Sequence, residues 1–196
     1  MNRPTLPWLK CCVATALACA CAMAWAAGKA HEHGALRLDV AIEGNKLTIA
    51  MEAPLDNLLG FERAPRTDAE RKAAAEVLAR LRSPAQGRPL FATDVAAQCT
   101  LSKAEVLSPV LEPAARADAR TAAGTQAATG ANKEEHADLE ASYEFSCAQP
   151  GELRSLDVGL FDAYKRMQRI DVQVAGPKGQ SKVTLRRPAR SVKLAR

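Results

Sequence analysis

Between Ala35 and Ala53 the chain alternates between apolar and polar residues, and the pattern breaks once, at Gly44-Asn45. Leu36, Leu38, Val40 and Ile42 alternate with Arg37, Asp39, Ala41 and Glu43; Leu47, Ile49 and Met51 alternate with Lys46, Thr48, Ala50 and Glu52. A period of two with one wet face predicts two strands, and a glycine-first pair between them predicts a two-residue turn. That turn fixes a register. Glu43 falls opposite Lys46, Ile42 opposite Leu47, Val40 opposite Ile49 and Arg37 opposite Glu52, so apolar meets apolar and acid meets base.

Further along, "LDNLLGFERAP" reads as a loop whose apolar residues Leu58, Leu59 and Phe61 cover the core or a sheet edge. Thr67-Asp68-Ala69-Glu70 has the form of a capping box. The helix it opens carries Ala74, Val77, Leu78 and Leu81 on one stripe and stops at Ser83-Pro84. Residues 95–107 read as a strand. In "ADLEASYEFSC", Leu139, Ala141, Tyr143, Phe145 and Cys147 share one face. "SLDVGLF" alternates again, "DAYKRMQ" is a crossover, and 169–186 reads as a second hairpin around Gly176-Pro177-Lys178-Gly179. The sum is an α+β fold: a mainly antiparallel sheet of about seven strands with one amphipathic helix packed on it.

Two segments fall outside this pattern. Residues 1–26 combine Arg3 and Lys10 with an uncharged apolar run and an Ala24-Trp25-Ala26 cleavage signal. The run is shorter than the ~20 residues of a membrane span, so it reads as a secretory signal peptide, with 27–196 as a single domain and no transmembrane segment after cleavage. The stretch 112–133 is rich in alanine, holds no aromatic residue and no aliphatic larger than alanine after Glu112, and reads as a flexible insertion.

Of six cysteines, four leave with the signal, and Cys99 and Cys147 remain. In an exported protein these most simply form one disulfide; two buried thiols are the alternative. The formal charge of +5 falls by the two charges of the signal, and only 4% of residues are aromatic. That balance gives nucleic-acid binding no support. The basic tail "RRPARSVKLAR" reads as a solvated end, with contact to anionic lipid as its alternative.

The chain has three histidines. His31 and His33 precede the first strand and share the parity of its polar face; His136 precedes the strand of Leu139 and shares parity with Asp138. Imidazoles two apart on a strand can converge on one ion. Extending the first hairpin's register also brings Asp56 opposite His33. No G-x-S-x-G, H-E-x-x-H, phosphate-cradling glycine loop or Cys-His pair is present, so no enzyme activity is expected. Asp157 and Asp162, flanking "VGLF", read as surface acids.

Taken in order, "HEHGALRLDVAIEGNKLTIAMEAPLDNLLGFERAP", "HADLEASYEFSC" and "LDVGLFDAYKRMQRIDVQV" resemble the ZrgA-like periplasmic zinc-binding family, long described only as a domain of unknown function, over roughly residues 31–186. The resemblance implies an exported periplasmic accessory protein that buffers zinc or delivers it to an uptake system. It implies contact with a periplasmic or inner-membrane transporter component. By position, His31 and His33 match the opening H-x-H-G, and His136 and Asp138 match the H-A-D before the later strand. These four residues are the expected ligands of a single zinc site. Two departures count against several ions. The alanine-rich insertion replaces a histidine-rich loop, and Arg63 stands where the family's G-F-E-H-A-P pattern has histidine. The competing reading is a metal-free module that binds a partner protein through its polar sheet face or through Leu58, Leu59 and Phe61.

Overall fold

The computed structural model describes residues 33–112 and 138–194, all within one compact unit. The anticipated signal peptide and all of the alanine-rich insertion except Glu112 lie outside the described residues, as do His31 and His136. Among the described residues, no helix is long and apolar enough to cross a membrane.

Among the described residues, nine strands form two sheets. In chain order the elements are β1 (Ala35–Glu43), β2 (Lys46–Pro54), α1 (Leu55–Leu59), α2 (Asp68–Arg82), β3 (Phe91–Thr93), β4 (Cys99–Leu107), β5 (Asp138–Cys147), β6 (Ser155–Val158), α3 (Leu160–Ala163), β7 (Arg169–Gly176), β8 (Gly179–Arg186) and β9 (Ser191–Lys193). The larger sheet has the order β4-β5-β2-β1-β7-β8, and the smaller one β3-β6-β9. The β1–β2 register is the one the turn predicts, with Glu43 opposite Lys46 and Arg37 opposite Glu52. The second hairpin also forms, with Ile170 opposite Leu185 and Val172 opposite Val183.

Several expectations need correction. The large sheet is mixed, because β1 pairs in parallel with β7, Ala35 opposite Arg169. Short turns argue only about neighbours in sequence. Here β6 leaves for the small sheet and α3 carries the chain back, so β7 enters from the same end as β1. Residues 55–59 form a helix rather than a loop. It is capped by Gly60 in the left-handed conformation, whose amide donates to Asp56 O at 2.9 Å. The strand expected over 95–107 starts at Cys99, after a 3-10 turn at Val95–Ala97. The basic tail is not simply a solvated end: β9 pairs with β6 and buries Val192.

The core follows the alternation. Leu36, Leu38 and Val40 of β1, Leu47, Ile49 and Met51 of β2, and Ile170, Val172 and Val174 of β7 are all buried. The capping box forms as expected, with Thr67 Oγ1 accepting from the Glu70 amide and Glu70 accepting from the Thr67 amide. It starts α2 at the angle that buries Ala74, Leu78 and Leu81. The small sheet belongs to the same hydrophobic cluster, and Phe91 of β3 sits 5.0 Å from the Tyr143 ring of β5. Leu58 and Leu59 pack against this cluster, so they cover the core as expected. Cys99 and Cys147 are bonded to each other and are directly opposed in the β4–β5 ladder.

Candidate metal-binding rim

The mixed topology brings the ends of four central strands to one edge. β1 and β7 begin there, with Ala35 beside Arg169. β2 ends there and β5 begins there, with Pro54 opposite Asp138. The residues that precede or follow these strand ends therefore share a rim.

His33 stands at this rim, at the turn into β1. A left-handed glycine and four hydrogen bonds to the backbone fix the turn. Gly34 has φ of +80°, a value favoured by glycine. Its amide donates to Asn57 Oδ1 at 2.6 Å. Its carbonyl accepts from the amides of Gln168 and Arg169 at 2.8 and 2.9 Å. The Asn57 Nδ2 donates in turn to Ala35 O at 2.6 Å. Asn57 is 1% exposed, yet both ends of its carboxamide are satisfied by the chain entering β1.

Asn57 lies on α1, and so does Asp56 beside it. Asp56 Oδ2 comes within 3.5 Å of His33 Nδ1, and Glu62 Oε1 within 3.8 Å of the same nitrogen. The imidazole remains 70% exposed. Asp56 was legible from register alone, although Pro54 ends the strand; the single turn of α1 keeps the carboxylate near the histidine. Glu62, Asn57 and Arg166 are additions from the structure. Arg166 Nη1 lies 3.8 Å from the other carboxylate oxygen of Asp56. The sequence signal for Glu62 is its place six residues after Asp56 in "DNLLGFE", with a helix-ending glycine between them.

Arg63, next to Glu62, turns toward α2. Its guanidinium donates to Glu70 at 2.7 and 3.0 Å and lies 5.0 Å over the Phe61 ring. Together with the amides of Arg66 and Thr67, it draws the Glu70 pKa down to about 2, the Arg63 hydrogen bond being the largest cause. Arg63 therefore ties the 61–66 segment to the start of the helix.

Of the four expected ligands, His33 and Asp138 are described. Asp138 lies on the same rim, across β2 from Ala35, at the outward-facing start of β5. His31 and His136 lie outside the described residues. Among the described residues, no group of three or more His, Cys, Asp or Glu is arranged as a finished metal cage. Donors sharing a tetrahedral zinc at about 2.0–2.2 Å sit roughly 3.3–3.6 Å apart. The His33–Asp56 pair is at that separation and Glu62 lies just beyond it. One nitrogen and two carboxylate oxygens suit zinc chemically but leave its usual four ligands incomplete.

Away from the rim, the acids flanking "VGLF" are paired. Arg190 binds Asp157 at 2.6 Å and Asp162 at 3.1 Å, and Arg88 approaches Asp162 at 3.3 Å.

A model of the ZrgA family, described as zinc uptake proteins, matches residues 30–194. The chain belongs to the ZrgA family. The match spans both sheets and begins at the residue before His31, so the rim lies within it. No curated protein matches the chain. The family's description associates the protein with zinc uptake.

Proposed function

We propose that this ZrgA-family protein is an exported, periplasmic zinc-binding accessory protein that buffers zinc or hands it to a transporter component, and that it catalyses no reaction. The observation that carries this reading is the approach of two carboxylates, Asp56 and Glu62, to the exposed His33 at the rim where four strand ends meet. Exposed donors suit a cargo ion that must enter and leave. His31 is two residues from His33, and His136 two from Asp138. That closeness along the chain supports both as the missing ligands of one site.

Calorimetric titration with zinc at neutral pH tests the reading. One saturable site is expected. It is lost when His31, His33 and His136 are replaced by alanine, and it weakens on acidification because imidazole must be neutral to ligate. The absence of saturable heat, or a site untouched by the triple replacement, refutes the proposal.

An open groove of about 790 Å³ on the sheet, lined among others by Arg37, Glu52, Arg82 and Glu140, favours the second reading, a metal-free module that binds a partner protein. That reading expects partner binding to survive both chelator and the triple histidine replacement.

A further inference from the structure

The rim already holds a cation of its own. Arg166 Nη1 lies 3.8 Å from Asp56 Oδ1, while His33 faces Oδ2 of the same carboxylate at 3.5 Å. The guanidinium has a prepared berth. Gly60 adopts φ of +86°, and a Cβ there would stand 2.8 Å from Arg166 Nη2 and 2.9 Å from Cζ and Nε. The backbone on either side of Arg166 is held as well. Arg187 donates to the carbonyls of Tyr164, Lys165 and Met167 at 3.2, 3.4 and 3.1 Å. The amides of Gln168 and Arg169 then tie the same turn to Gly34, the neighbour of His33. The side chain of Arg166 itself is 60% exposed.

A guanidinium stays protonated and cannot ligate a metal. Beside Asp56 it satisfies the carboxylate's charge when no metal is bound and so competes with an arriving divalent ion for that carboxylate. We propose that Arg166 is a displaceable counter-cation that lowers zinc affinity at this rim and speeds zinc release. It neutralises Asp56 in the empty state, swings toward solvent as the ion binds, and returns as the ion leaves. This inference rests on the reading that zinc binds at His33 and Asp56. It gives a carrier a built-in means of letting go.

The test is zinc affinity by chelator competition, and release rate by stopped-flow mixing with excess chelator. Both are measured on the wild type, Arg166→Gln, Arg166→Lys, Asp56→Asn and the Asp56→Asn/Arg166→Gln double variant. Giving up an ion pair at about 4 Å, at a dielectric near that of water, is an effect of roughly threefold to tenfold. Arg166→Gln is expected to bind zinc tighter by that factor and to release it more slowly. Arg166→Lys, which keeps the charge, stays near the wild type. In the Asp56→Asn background the gain disappears. Wild-type binding that Arg166→Gln leaves unchanged or weakens overturns this inference alone, as does a gain that persists without the Asp56 charge. No zinc binding by either the wild type or Arg166→Gln overturns it together with the proposed function.

Discussion

The carboxamide of Asn57 accepts the Gly34 amide and donates to the Ala35 carbonyl, each at 2.6 Å, so one buried side chain on α1 sets the turn that presents His33. Neither bond joins neighbours in sequence; both cross from the end of the first hairpin back to its beginning. The same helix carries Asp56. Histidine and carboxylate are thus fixed in relation to each other through one residue that touches no ligand.

Replacing Asn57 with alanine leaves the Gly34 amide and the Ala35 carbonyl without this partner in a part-buried setting. Stability should fall by about 1–3 kcal/mol, the usual cost of orphaned polar groups. Urea denaturation measures that loss. If the proposed zinc site is correct, zinc affinity of the folded variant also falls, because the His33 turn is no longer tied to α1. Unchanged stability contradicts the anchoring role.

Acid should loosen the start of α2. The Glu70 pKa is lowered to about 2, first by its hydrogen bonds from Arg63, while an unfolded glutamate titrates near 4.3. A lowered folded-state value means the stabilisation is fully present above the unfolded value. It is lost as pH falls through the folded one, over the window from roughly 4.3 to 2. Glu70→Gln should be less stable than the wild type at neutral pH, and the two should converge toward pH 2. Thermal melts of both proteins across this range provide the check.

The Cys99–Cys147 bond closes a loop across 48 positions. The chain-entropy relation gives about 4 kcal/mol for a loop of that length. A Cys99→Ser/Cys147→Ser variant should lose stability of that order in a denaturant titration. A reductant should then leave its midpoint unmoved while lowering that of the wild type.

Burial raises the Tyr143 phenol pKa well above its ordinary value, and its hydroxyl has no hydrogen-bond partner among the described residues. Desolvation without a bond is a net cost. Tyr143→Phe keeps the ring against Phe91 and removes the hydroxyl. The melting temperature should stay level or rise, with a gain of up to about 1 kcal/mol; a fall shows that the hydroxyl contributes a bond.

Much of this structure is written locally. The period-two alternation of β1, β2 and β5, the Gly44-Asn45 turn and the Thr67–Glu70 capping box each depend on residues within reach of one another, and each forms as read. The parallel β1–β7 pair does not, because no pattern in either strand names a partner so far along the chain. The α1 helix is hidden for another reason: five residues are too few to show a helical period, and a stretch bounded by Pro54 and Gly60 reads equally well as a loop. At the rim, a histidine and an aspartate could be placed by extending a ladder. Glu62 and Arg166 could not, since they depend on a tight left-handed cap at Gly60 and on a turn contributed from between α3 and β7.

The pairing of β1 with β7 also has a consequence in time. The strand made first among those described acquires one of its two neighbours only after residue 176 has been synthesised. Until then an unsatisfied edge lies in what becomes the interior of the large sheet, and the platform for His33 lacks the amides of Gln168 and Arg169. Non-local closure of this kind slows folding. A nascent chain or fragment ending before β7 should thus be sticky and unable to present its rim, which makes the His33 platform a property of the finished polypeptide.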